Sequence, residues 1–264
     1  MCEDALSFSS KAGRPTLRVV IPARYGSSRL PGKPLIDLAG KPMVVRVYEA
    51  VRRALVAADV VVATDDDRVL AALHHNDIPG VMTLAGHESG TDRAAEVARL
   101  RGWSDRDVVL NVQGDEPLIP RDLLQAFADF CDNDDIEMAT VVTPVARRSD
   151  IHDLNVVKVV LGAGNNALYF SRSPIPFSRD CPEGLWPLDA YLKHVGLYAY
   201  RNATLQRLTT QSACMLEQVE KLEQLRALWM GISIKTMWWG GTPPHGVDTA
   251  EDVVRVSTLI RGME

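Results

Sequence analysis

An α/β fold, with a mostly parallel sheet covered by helices on both faces, is predicted by three features of this 264-residue chain. Short apolar, β-branched runs alternate with longer stretches of helical period. The runs are apolar throughout, without the polar alternation of a half-solvated strand, as expected when helices cover both sides of a sheet. A hydrophobic content of 46% in a chain of this length is enough for a full core. Sheets of this kind hold ligands beyond the carboxyl ends of their strands.

The first strand is LRVVI, residues 17 to 21, and the helical stretch PMVVRVYEAVRRALVAA, residues 42 to 58, follows a Pro- and Gly-rich loop. DVVVAT (59 to 64) and GVMT (80 to 83) are the next strands, joined by the helix DDRVLAALHHN. TDRAAEVARLR then leads to the strand DVVLNV (107 to 112), and RDLLQAFADFCD to MATVVTPV (138 to 145). After residue 145 the rhythm changes. VVKVVL, the turn-like GAGNN and ALYFS read as a hairpin, and KHVGLYAY as a further strand, so the second half carries an antiparallel elaboration. A long helix is expected around MLEQVEKLEQLRALWMG, then a strand near SIKTMWW and a last helix TAEDVVRVSTLIRG with Asp248 or Thr249 as its cap. With no repeats or composition break, the chain reads as residues 1 to 16 forming a loose tail and 17 to 264 forming a single domain.

The net charge of −5 argues against a general nucleic-acid or membrane binder, so an anionic ligand must be met by cations gathered locally. Four cysteines with no metal-binding spacing suit a reducing cytoplasm. No run reaches transmembrane length, and the first residues lack the pattern of a secretory signal.

The stretch PARYGSSRLPGKP, residues 22 to 34, is such a gathering of cations. Its prolines restrict the backbone and its glycines free it, so it forms a loop directly after a strand. Glycines let N–H groups approach phosphate oxygens, and Arg24, Arg29 and Lys33 bring charge to the same place. A solvated surface loop has the same composition, and neither common glycine-rich nucleotide motif is present. Asp115, in VQGDEP, either holds a metal beside phosphates or caps the turn before Pro117. HESGTDR either reads a pyrimidine and ribose with its backbone or is a helix start capped by Ser89 or Thr91, with Arg93 facing solvent. MWW at 237 to 239 reads as packing or an oligomer contact, and DDD at 65 to 67 as a strand end and helix cap.

VVIPARYGSSRLPGKPL, VVVATDDDRV, HESGTDRAAEVA, VVLNVQGDEPLIP, ALYFSRSPIP, KHVGLYAY, LEQLRALWMG and GVDTAEDVVRV occur in the order found in the CMP-Kdo synthetase family. These are 3-deoxy-manno-octulosonate (Kdo) cytidylyltransferases, and the resemblance spans residues 17 to 261. It implies a Rossmann-like nucleotidyltransferase sheet and the reaction of CTP with Kdo to give CMP-Kdo and pyrophosphate, for lipopolysaccharide synthesis. By the match, Ala23 binds the nucleotide, Arg24 holds the β and γ phosphates, and Lys33 stabilises charge developing at the α-phosphate. Ser89, Gly90 and Arg93 take the cytidine, with Gln113 and Asp115 beside it. Asp115 and Asp248 hold Mg²⁺; two bare carboxylates about 4 Å apart would repel by about 4 kcal/mol at an effective dielectric of 20. The sugar acid is assigned to Gln113, Arg172, His194, Tyr198, Glu223 and Gln224, with Arg172 suited to a carboxylate by its planar fork. The resemblance also implies a homodimer, with sugar-binding and dimerisation elements within about residues 150 to 240, and a cytoplasmic location. Activation of another acid sugar, such as an amino analogue of Kdo or a sialic acid, remains the nearest alternative. A glycosyltransferase and a non-catalytic nucleotide sensor are more distant ones.

Overall fold

The computed structural model describes residues 15–27, 30–133, 135–182, 184–243 and 246–263. Arg29 and all but the last two residues of the expected tail lie outside the described residues. In chain order the elements are β1 (Leu17–Pro22), a 3₁₀ turn (Lys33–Leu35), the two-residue strands β2 (Asp37–Leu38) and β3 (Lys41–Pro42), and α1 (Met43–Ala54). They continue with β4 (Asp59–Thr64), α2 (Asp67–His75), β5 (Gly80–Met82), α3 (Gly90–Leu100), β6 (Val108–Asn111), α4 (Arg121–Cys131) and β7 (Met138–Pro144). The second half holds α5 (Arg148–His152), β8 (Lys158–Leu161), β9 (Ala167–Ser171), β10 (Leu192–Arg201), α6 (Asn202–Thr209), α7 (Met215–Glu220), α8 (Gln224–Trp229), β11 (Ile234–Trp238) and α9 (Ala250–Met263).

The main sheet runs β11-β7-β10-β6-β1-β4-β5. β1 pairs in parallel with β4 on one side and β6 on the other. The chain therefore leaves β1 in one direction and later returns on its opposite side, which opens a crevice at the carboxyl ends of β1 and β6. β10 enters antiparallel between β6 and β7, the β8–β9 hairpin hangs from β10, and β11 closes the edge in parallel with β7.

Both faces of β1 are covered, which explains its unbroken apolar sequence. Val19 and Ile21 pack with Val47 and Val51 of α1 and Leu124 and Phe127 of α4. Val20 packs on the other face with Ala94 and Val97 of α3 and Leu205 of α6. Each such buried side chain contributes about 1.5–3 kcal/mol of transfer free energy. A smaller cluster of Leu38, Met43, Val247, Val256 and Ile260 seats α9 against β2 and the start of α1.

The long helix expected at 215 to 231 is two helices. Lys221 adopts the left-handed region at φ 55° and ψ 47° and ends α7. The break pays out in packing: Leu222 enters the core beside Tyr200 and Leu225. Arg226 of α8 spans the break with a two-pronged pair to Glu217 of α7, at 2.7 and 2.6 Å. α6 was legible to neither propensity nor capping pattern. Its first two amides are satisfied by the carbonyls of Asp107 and Asp105, groups distant in sequence. α5 likewise falls in a stretch that reads as a loop.

Candidate active site

The crevice beyond β1 and β6 is a cleft of about 260 Å³. Ala23, Arg24, Lys33, Ser89, Gly90, Arg93, Gln113, Asp115, Glu223 and Asp248 all line it. β1 and the loop after β6 meet so closely that a Cβ on Gly114 would lie 2.3 Å from the Pro22 carbonyl oxygen, so only glycine fits. This contact sets Gln113 and Asp115 at the mouth of the loop that follows β1.

That loop is tied down at its start. The Ala23 amide donates to the Ala63 carbonyl at 2.8 Å, and the Tyr25 amide to Asp65 Oδ1 at 3.3 Å. The other oxygen of Asp65 accepts from Arg93 Nη2 at 2.9 Å. Arg93 is 2% exposed and also donates to the Thr83 hydroxyl, so it braces the loop from below and does not face solvent. Of the DDD run, Asp66 caps α2 by accepting from the Arg68 amide, and Asp65 is this brace. Gly32, at φ 68°, turns the chain into Lys33–Leu35. Arg24 is exposed and makes no hydrogen bond or ion pair among the described residues.

Lys33 Nζ lies 2.6 Å from Asp115 Oδ2 and 3.0 Å from Asp248 Oδ1. Asp248 arrives there through the backbone, because the Val247 amide donates to the Asp115 carbonyl at 2.9 Å while the Val247 side chain is fully buried. Its carboxylate is not spent as a helix cap. Thr249 and Asp252 cap α9 between them: the Thr249 hydroxyl accepts the Asp252 amide at 3.2 Å, and Asp252 accepts the amides of Asp248 and Thr249 at 3.0 Å each. Nor does Asp115 serve the turn before Pro117 with its side chain.

Two carboxylates thus address one cationic position, with oxygen donors only. Mg²⁺ takes one or two carboxylates and completes its shell with phosphate and water, so the donor set fits it. The described residues contain no cluster of three or more side chains that could hold a metal. Beside Asp115, burial of the Glu116 carboxyl, together with the Asp115 charge, pushes its pKa up to about 8.

Ser89 caps α3, its hydroxyl accepting the Asp92 amide at 3.0 Å, and it also lines the cleft. Behind it, Thr91 Oγ1 donates to Glu223 Oε2 at 2.8 Å. Withdrawal of water raises the Glu223 pKa, against the opposing effect of the Thr91 hydroxyl. His194, Tyr198 and Gln224 do not line the cleft. His194 Nε2 meets the Thr140 hydroxyl at 2.9 Å, its ring lies edge-on to Phe170, and burial pushes its pKa down to about 3. The Tyr198 hydroxyl and Gln224 Nε2 are buried without hydrogen-bond partners among the described residues. Arg172 stands apart from this set. Its Nε donates to the Glu220 carbonyl, which the end of α7 leaves exposed, and its Nη1 to the Leu154 carbonyl after α5, each at 2.8 Å.

Sequence reading missed three supports of the site: Asp65 as the partner of Arg93, Thr91 as the partner of Glu223, and Asn111. Only Asn111 left a signal, as an amide within the otherwise apolar run DVVLNV.

A parallel sheet with a crossover at β1, a cation-bearing loop after that strand and paired carboxylates facing it define a nucleotidyltransferase. Residues 18–234 match the cytidylyltransferase family model. The chain is 56% identical over 247 residues to 3-deoxy-manno-octulosonate cytidylyltransferase 2 of Paraburkholderia phytofirmans, covering 93% of this chain and 94% of that one. It is 45% identical over 249 residues to the 3-deoxy-manno-octulosonate cytidylyltransferase of Nitrosococcus oceani, covering 92% and 96%. The solved structure of CMP:2-keto-3-deoxy-manno-octonic acid synthetase complexed with CTP superposes with a TM-score of 0.84 at 41% identity, over 94% of this chain and 100% of that one. A 4-diphosphocytidyl-2C-methyl-D-erythritol synthase from Anaerococcus prevotii shares the fold, with a TM-score of 0.62 at 10% identity, over 94% and 100% of the two chains. The chain belongs to the cytidylyltransferase family, with the 3-deoxy-manno-octulosonate cytidylyltransferases as its relatives.

Proposed function

We propose that the chain joins CTP to Kdo, giving CMP-Kdo and pyrophosphate for lipopolysaccharide synthesis. The observation that carries the proposal is the meeting of Lys33, Asp115 and Asp248 at the carboxyl ends of β1 and β6. The C2 hydroxyl oxygen of Kdo forms a bond to the α-phosphorus, the bond to the β-phosphate bridging oxygen breaks, and the hydroxyl proton passes to solvent. Both substrates are anions, so the site must first offset their repulsion.

Arg24, with Ala23 beside it, holds the β and γ phosphates, and Lys33 turns from the carboxylates to the α-phosphate. Asp115 and Asp248 hold Mg²⁺, which when bound neutralises triphosphate charge. Ser89 and Gly90 take the cytidine, and Arg93 keeps their helix and the phosphate loop in register. Gln113, His194, Tyr198, Glu223 and Gln224 receive the sugar acid. Arg172 joins them by exchanging neutral carbonyl acceptors for the sugar carboxylate, a stronger, charge-assisted partner.

The active form is a homodimer in the cytoplasm. Supporting the dimer, Leu168 of β9, Met215 and Val219 of α7 and Trp229 of α8 leave large apolar side chains exposed on elements that pack together within the second half. Supporting the location, Cys131, Cys181 and Cys214 are free thiols, and no helix among the described residues is long and apolar enough to cross a membrane.

The test is pyrophosphate release from CTP with Kdo and Mg²⁺, run beside an amino analogue of Kdo and a sialic acid. Release with Kdo alone, or fastest with Kdo, is expected. A preference for another acid would reassign the sugar, and no release with any acid would end the proposal.

A further inference from the structure

Asn111 closes β6 and is 1% exposed, yet its Oδ1 finds no hydrogen-bond partner among the described residues. Leaving a buried polar atom unpaired is costly, so such atoms are few, and each calls for a reason. The residue directly opposite it on the neighbouring strand, β10, is Tyr198, whose hydroxyl is buried and unpaired as well. Side chains directly opposite each other on adjacent strands point to the same face. Gly90, which lines the cleft at the start of α3, comes so close that a Cβ there would lie 3.6 Å from Asn111 Nδ2. Two buried polar groups without hydrogen-bond partners among the described residues therefore face one side of the sheet from neighbouring strands, with Asn111 next to Gly90 of the cleft.

Their chemistry narrows the ligand. A carbonyl oxygen accepts and does not donate, so phosphate oxygens cannot satisfy it. A hydroxyl can, and so can the amino group of cytosine. Position favours the hydroxyl. Asn111 and Tyr198 face the same side of the sheet from adjacent strands, so a polyhydroxylated ligand can supply both, whereas a base edge offers one amino group. We propose that Asn111 is a specificity-determining residue for the sugar acid, its Oδ1 accepting a hydrogen bond from a sugar hydroxyl next to Tyr198. This rests on the sugar-acid reading above. It also explains an amide placed in a strand that is otherwise apolar, at a position where valine or leucine would pack without leaving an unpaired group.

Two variants of the full chain test it. Asn111→Ala removes the acceptor, and Asn111→Leu removes it while keeping the volume. For both, the KM for Kdo is expected to rise by about tenfold or more, with CTP affinity, read by equilibrium binding, unchanged. The free Asn111→Leu protein should melt at or above the wild-type temperature, because the unpaired oxygen is gone. Kdo analogues lacking one hydroxyl each should include one that weakens wild type but brings no further loss to Asn111→Ala. An unchanged KM for Kdo would overturn the assignment. So would a matching loss of CTP affinity, which would put the residue on the nucleotide, or a lowered melting temperature for Asn111→Leu without a Kdo effect, which would make it structural. Wild type is assayed alongside, and its failure to use any sugar acid would sink the parent reading instead.

Discussion

Lys33 is shared by two carboxylates that stand 82 and 215 positions away in the sequence. Its ammonium holds together a pair that would otherwise repel, in the position that suits a divalent cation. Asp115→Asn and Asp248→Asn are each expected to lower turnover about 10²-fold and to shift the Mg²⁺ dependence to higher concentration, measured by titrating Mg²⁺ in a pyrophosphate assay. Their melting temperatures should stay near wild type, because the pair is half-exposed and such pairs contribute little to stability. His194 makes a prediction of opposite kind. Burial pushes its pKa from 6.5 down to about 3, so the unfolded chain takes up this proton well before the folded one. The stability it contributes is fully present above about pH 6.5 and is lost as pH falls toward 3. In His194→Gln, the acid-unfolding midpoint followed by circular dichroism should move to lower pH. Asp65 and Thr91 show why residue roles were only half legible: their partners, Arg93 and Glu223, lie on other elements, and no local pattern names them.

At the scale of elements, short connections do the positioning. Gly114→Ala would drive a Cβ into the Pro22 carbonyl, a backbone atom that cannot swing aside. We expect a loss of about 3 kcal/mol in denaturant unfolding and a fall in activity as Asp115 moves with its loop. Thr249→Ala removes half of the α9 cap and should cost about 1 kcal/mol, with a raised Mg²⁺ requirement because Asp248 directly precedes the cap. The break at Lys221 was invisible in a sequence of helical period from 215 onward. A lysine in the left-handed region is unfavourable by about 1 kcal/mol, and it persists because the break puts Leu222 in the core and Glu223 beside Thr91. Lys221→Gly should accordingly raise the melting temperature slightly, without loss of activity.

Across the whole molecule, the alternation of apolar strands and helices determined the first half of the fold from composition and period alone. β1, β4, β6 and their helices needed no knowledge of distant contacts, because covering both faces of a strand leaves its mark in every residue of the run. The order of motifs likewise determined the family. Only the tertiary structure decided that β10 inserts antiparallel between β6 and β7, which sets Tyr198 opposite Asn111. It alone decided that Val247 anchors on the Asp115 carbonyl, and so delivers Asp248 to Lys33. The reason is physical: period and propensity are local averages over neighbours in sequence, whereas a charge pair or a shared hydrogen bond depends on which segments the packed core brings within about 3 Å of each other.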